Sequence, residues 1–156
     1  MSLIEIERRG RIAVLTLNRP DRLNALPDLD DGEAFAGACD AINSDPQISV
    51  AILTGAGRAF SAGGDLKAMV GRSALFEGSG AAIRERYRRV VHRIVRSLYG
   101  LEVPLIAAVN GPAMGLGCDI ADRLVLGVRP GAAGGQQPQE MRLARTVRAE
   151  DGDPLA

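Results

Sequence analysis

Two glycine-rich stretches carry most of the chemistry this sequence can offer. The first is Gly55-Ala56-Gly57-Arg58-Ala59-Phe60-Ser61-Ala62-Gly63-Gly64-Asp65-Leu66, after the apolar run Ile48 to Leu53. The second is Asn110-Gly111-Pro112-Ala113-Met114-Gly115-Leu116-Gly117-Cys118-Asp119-Ile120, after Pro104 to Val109. Each apolar run is too short for a helix and reads as a buried strand. Glycine lets the backbone bend sharply and approach a ligand closely, and Asp65 can cap a helix by accepting from first-turn N–H groups. Strand, glycine loop and helix start together point free main-chain N–H groups at negative charge. Two such loops converging on one oxygen would form an oxyanion hole, which stabilises charge developing on a carbonyl and needs no special side chain. An enolate formed from a thioester is a natural occupant, and a helix dipole adds to the field.

Other glycine motifs fit less well. Neither loop ends in the Gly-Lys-Ser/Thr of a P-loop. Phe60 and Ile120 stand where G-x-G-x-x-G needs its third glycine. Ser61 lacks the first glycine of a nucleophile elbow. His92, the single histidine, falls on the arginine-rich side of a helix and reads as a surface residue, so neither a Ser–His hydrolase nor a serine peptidase is supported.

The elements that must position these loops are legible in order. Leu3 to Glu7 and Ile12 to Leu17 flank Arg9-Gly10-Arg11 as a hairpin. Asn18 to Arg22 breaks the second strand. Pro27 and the aspartates after it set a helix start, with Phe35, Ala38, Cys39 and Ile42 spaced for one buried face and Asn43 to Pro46 as the stop. From Ala81 to Tyr99 the apolar residues Ile83, Tyr87, Val90, Val91, Ile94, Val95 and Leu98 describe one helical stripe, which predicts a single helix ended by Gly100. Arginines 84, 86, 88, 89, 93 and 96 take its other positions, as a solvated face or as a contact for a phosphate group or another subunit.

The bulk properties bound the class. With 156 residues, 46% of them hydrophobic, the chain can build one domain with a real core. A formal net charge of zero gives no reason to expect nucleic acid or an anionic membrane as partner. All 19 basic residues except Lys67 are arginine, a skew that suits a GC-rich coding sequence. Cys39 and Cys118 are isolated, so no zinc site or redox pair is expected, and a reduced cytoplasm fits. No apolar run approaches membrane-spanning length.

Three blocks, taken together, resemble the crotonase superfamily of enoyl-CoA hydratases and isomerases. They are Leu17-Asn18-Arg19-Pro20 with Leu23-Asn24-Ala25-Leu26; Arg58 to Leu66; and Pro104 to Gly111 with Gly115-Leu116-Gly117-Cys118-Asp119. They follow the family's order and spacing over roughly residues 3 to 121. The resemblance implies an α/β fold, the crotonase-like ββα spiral represented by its N-terminal part with an incomplete C-terminal region. It implies an acyl-CoA thioester substrate, no cofactor beyond the coenzyme A of that substrate, and a homo-oligomer, trimer or hexamer, where the C-terminal half is present. By the same resemblance the N–H groups of Gly64 and Leu116 form the oxyanion hole. The Ala62 carbonyl accepts from the adenine amino group, Ala25 lies along the pantetheine arm, and Arg22 and Lys67 face phosphates. Asp119 stands where hydratases of the family place the first of two catalytic glutamates, one methylene shorter; the alternative is a first-turn acid stabilised by the helix dipole.

The pattern stops after Ala121. Residues 1–121 are expected to form the crotonase-like core and 122–156 a largely disordered tail, in which Leu124 to Val128 is one short apolar run. A frameshift or truncation would produce such a tail; an internal deletion is the rival, since Leu126 to Gly135 faintly resembles a later family segment. A silent acyl-CoA binder, or a subunit joining full-length relatives, is the alternative to an active enzyme.

Overall fold

The computed structural model describes residues 3–123 and 125–128. Strands β1 (Ile4–Arg9) and β2 (Ile12–Leu17) form the expected antiparallel hairpin across Gly10 and Arg11. A 3₁₀ turn at Pro20–Arg22 follows, then helix α1 (Asp31–Asn43) and strand β3 (Val50–Gly55). Next come the short helix α2 (Leu66–Val70), a 3₁₀ turn at Ala74–Phe76, and helices α3 (Gly80–Arg89) and α4 (Val91–Tyr99). Strand β4 (Leu105–Val109), helix α5 (Leu116–Arg123) and strand β5 (Val125–Val128) complete the described chain. The five strands lie in sequence order in one sheet, and every pairing after the hairpin is parallel.

Period-two alternation sends Ala13, Leu15 and Leu17 of β2, Ala51 and Leu53 of β3, and Leu105, Ala107 and Val109 of β4 to one buried face. The register puts Leu15 beside Leu53 and Leu53 beside Ala107, a row without solvent exposure. Phe35, Ala38, Cys39 and Ile42 of α1 join the same core with Ile94 and Leu98 of α4, as the helical spacing requires. Burying each large side chain of this kind contributes roughly 1.5–3 kcal/mol.

Four expectations need adjustment. The predicted single helix from Ala81 to Tyr99 is two helices meeting at Val90, whose φ of −106° and ψ of −71° depart from helical values. The apolar stripe continues across the joint, with Val90, Ile94 and Leu98 all buried. The reason is tertiary: α1 crosses there so closely that a Cβ on Gly32 would stand 2.6 Å from the Arg89 carbonyl oxygen. Helix α1 begins at Asp31 rather than directly after Pro27, because the Asp31 carboxylate turns inward to accept from the Asp28 amide and the Arg19 guanidinium. The third strand begins at Val50, two residues after the apolar run does. Regular structure also continues past Ala121: α5 ends at Arg123, and Val125–Val128 of the apolar run form β5, which pairs with β4. The expected disorder of the segment beyond Val128 lies outside the described residues.

Candidate active site

Parallel pairing of β3 with β4 decides where the two glycine loops go. Neighbouring parallel strands end on the same side of a sheet, so the chain leaves Gly55 and Val109 at adjacent points. The Asn110 side chain joins the exits, its Oδ1 accepting from the Gly55 amide at 3.0 Å and its Nδ2 donating to the Gly57 carbonyl at 3.0 Å. Beyond that point the loops pair as a short parallel bridge between Ser61 and Ala113. The amides of Phe60 and Ser61 donate to the Pro112 carbonyl at 3.0 and 3.2 Å, and the Met114 amide donates to the Ser61 carbonyl at 2.9 Å.

Two glycines are required by this approach. Gly63 has φ +69°, and a Cβ on it would collide with the Met114 carbonyl and lie 3.3 Å from the Gly115 Cα. A Cβ on Gly117 would stand 2.6 Å from the Ser61 Cβ and 2.8 Å from its carbonyl oxygen, so glycine lets the first turn of α5 rest on the first loop. Gly64 directly follows Gly63, and Leu116 lies between Gly115 and Gly117, so both sit on the loops so joined. Among the described residues, neither main-chain N–H donates to a protein acceptor.

A third segment closes on the pair. Asn24 is fully buried at φ +54°, a conformation that asparagine accepts more readily than most residues. Its Oδ1 accepts from the Arg19 amide, while its Nδ2 donates to the carbonyls of Ala56 and Ala59, each at 2.9 Å. Its own carbonyl accepts from the Ser61 hydroxyl at 2.8 Å, and the Leu26 amide donates to the Gly63 carbonyl at 2.7 Å. Arg19 anchors the segment through both terminal guanidinium nitrogens, which donate to Asp31, whose side chain is fully buried.

The remaining candidates divide. Ala25 is buried, with its amide donating to the Arg22 carbonyl. Ala62 lies partly exposed between Ser61 and Gly63, its amide held by the Leu23 carbonyl. Asp65 caps α2 as its position predicts, one carboxylate oxygen accepting from the amides of Lys67 and Ala68. The Ala68 amide, and then the Arg22 guanidinium, hold the Asp65 carboxyl below its ordinary value. Arg22 spans Asp65 at 2.8 Å and Asp28 at 3.1 Å, which raises its own pKa and neutralises much of its charge. Lys67 is exposed and in no ion pair among the described residues. Both cations line a cleft of about 320 Å³ whose far wall is Ser73 to Phe76. Asp119 is exposed in the first turn of α5, its amide donating to the Gly115 carbonyl at 3.0 Å. His92 is exposed, as expected. Among the described residues, no three histidine, cysteine or acidic side chains are grouped to hold a metal, and no helix is long and apolar enough to cross a membrane.

Sequence reasoning took Asn24 and Asn110 only as parts of longer blocks and missed their work as clamps. The available signal was a lone asparagine at the end of a strand or inside a break, where its side chain can satisfy main-chain groups.

The sequence profile described as enoyl-CoA hydratase/isomerase matches residues 7–126. The chain belongs to that family. The match confirms the crotonase resemblance and carries it five residues beyond Ala121. Among enoyl-CoA hydratase/isomerase relatives, the chain is 35% identical to the short-chain-enoyl-CoA hydratase of Clostridium acetobutylicum, over 91% of this chain and 56% of that one. It is 33% identical to the 2,3-dehydroadipyl-CoA hydratase of Escherichia coli, over 94% of this chain and 58% of that one. The crystal structure of an enoyl-CoA hydratase/isomerase from Mycobacterium paratuberculosis matches with a TM-score of 0.67 at 35% identity, covering 82% of this chain and 49% of that one. These neighbours establish the mixed α/β crotonase fold. The chain spans about half the length of the relatives it matches.

Proposed function

We propose that this chain binds an acyl-CoA thioester and holds its carbonyl oxygen between the main-chain N–H groups of Gly64 and Leu116. The chemistry favoured there is that of an enoyl-CoA hydratase or isomerase, passing through a thioester enolate. One observation carries the reading: the loops bearing the two amides are hydrogen-bonded to each other at Ser61 and Ala113, with both amides left free among the described residues. Ala25 and the Ala62 carbonyl border the same loops and suit the pantetheine arm and the adenine amino group. Of the two basic candidates, Lys67 suits a phosphate better, because Arg22 is already committed to Asp28 and Asp65. Asp119, on the helix that begins at Leu116, is the candidate acid to move a proton or activate water on this reading. The family setting makes the homo-oligomer and the cytoplasm the natural context.

A second reading has its own support. Asp119 is exposed and one methylene shorter than the glutamate the resemblance leads to expect, which suits a chain that binds acyl-CoA without turning it over. Crotonyl-CoA hydration followed by ultraviolet absorbance, beside calorimetric titration with acetyl-CoA, separates the two. Turnover that falls by about 10²–10⁴-fold in Asp119→Asn supports the enzyme. Binding without turnover supports the silent binder, and no binding by either thioester removes both readings.

A further inference from the structure

The peptide between Gly63 and Gly64 presents a problem of control. A peptide flanked by two glycines rotates more freely than any other in the loop, since neither neighbour has a Cβ to restrict it. Its two polar groups point in opposite directions, because a trans peptide sets the Gly63 carbonyl oxygen anti to the Gly64 hydrogen. A flip of this one unit would present a carbonyl oxygen where an N–H donor is needed. The resulting repulsion would act on the enolate oxygen itself.

One hydrogen bond to this unit and one to the peptide before it hold it. The Leu26 amide takes the Gly63 carbonyl oxygen at 2.7 Å, which turns the Gly64 N–H the other way. The Gly63 amide, at the start of the same residue, donates to the Ser61 Oγ at 3.1 Å. The hydroxyl in turn donates to the Asn24 carbonyl at 2.8 Å, so its proton is committed and its lone pair is left to receive Gly63. Ser61 has no solvent exposure, and no water competes for either bond. Asn24 and Leu26 belong to one segment, so a single anchor fixes the Gly63 amide through Ser61 and the Gly63 carbonyl directly.

Building on the oxyanion-hole reading above, we propose that the Ser61 hydroxyl is a positioning group: it locks the Gly63–Gly64 peptide in the orientation that points the Gly64 N–H at the thioester oxygen. Ser61 is neither nucleophile nor acid here. It touches no substrate atom and acts through Gly64.

The test compares affinities for acetoacetyl-CoA, whose enolate form loads the oxyanion hole, and for free CoA, which has no thioester. Calorimetry gives their ratio in the wild-type chain, in Ser61→Ala and in Ser61→Cys. The cysteine variant keeps the shape of the side chain while supplying only a weak acceptor, and it reads the ratio should the alanine variant not fold. The wild-type chain should prefer acetoacetyl-CoA. Either variant should lower that preference about tenfold, short of the 10²–10³ expected when an oxyanion donor is removed outright. Affinity for CoA should stay within about twofold, since the donor is weakened and the arm-binding surface is not. An unchanged ratio in a folded variant, beside a clear wild-type preference, overturns the role of Ser61 and leaves the oxyanion hole standing. A wild-type ratio near one overturns the oxyanion hole and the role of Ser61 with it.

Discussion

The carboxylate of Asp31 and the guanidinium of Arg19 meet through two hydrogen bonds of 2.7 and 2.9 Å, with the Asp31 side chain wholly buried and that of Arg19 largely so. This pair joins the first turn of α1 to the segment that carries Asn24 and Leu26. It therefore anchors, at one remove, the main-chain geometry around Gly63. A buried pair of this kind adds little over a well-packed apolar pair, but removing one partner strands a charge.

Asp31→Asn should accordingly destabilise the chain by roughly 3–5 kcal/mol. Urea denaturation would show a lower midpoint with an unchanged slope. A change below about 0.5 kcal/mol, the range of ordinary surface substitutions, would refute the anchoring role.

Two glycine substitutions should move stability in opposite directions. Gly63→Ala forces a side chain onto a φ of +69° and into the Met114 carbonyl, and should cost about 2–4 kcal/mol while weakening acyl-CoA binding. Gly37→Ala lies on the exposed side of α1 with nothing within 4 Å of the new Cβ, and should stabilise by about 0.5–1 kcal/mol. Denaturation curves of both variants check the signs.

Asp65 should make stability depend on pH at the acid end. Its folded pKa lies below the ordinary 3.8, chiefly through the Ala68 amide and then Arg22. The unfolded chain thus binds the proton more readily. The contribution is fully present above the unfolded value and is lost as pH falls from there through the lower folded value. It should be modest, since Arg22 is nearly half exposed. In Asp65→Asn the drop in stability between pH 6 and pH 3 should be smaller than in the wild-type chain. An equal drop in both would assign the acid sensitivity elsewhere.

Cys39 should be chemically silent in the folded chain. Burial in the core, and then the neighbouring Asp40 carboxylate, push its thiol up to about 11, so at pH 8 almost none is thiolate. A thiol-reactive reagent followed by peptide mass analysis should label Cys39 only after denaturant is added. Labelling of Cys39 at the native rate of an exposed thiol would contradict its place in the core.

The sequence by itself determined the parts. The alternation of Leu3 to Glu7 and the glycine turn after it mark the hairpin of β1 and β2, and apolar runs too short for a helix mark β3 and β4. The glycines of both loops, and Asp65 at the cap, are legible because few other residue types suit those backbones. Helical spacing also gave the buried faces of α1 and α4 correctly, since packing follows the period whichever partner is found.

What only the tertiary structure decided is how these parts meet. The joint at Val90 exists because Gly32 of α1 crosses there, a contact between residues far apart in sequence. Arg22 pairs with Asp65 because folding brings a third segment against the first loop, and no local pattern records that. The same holds for Asn24, Asn110 and Ser61, whose side chains bind main-chain groups of distant loops and so leave no spacing to read. The sequence names the amides of Gly64 and Leu116 by resemblance. Parallel pairing of β3 with β4 is what sets their loops side by side.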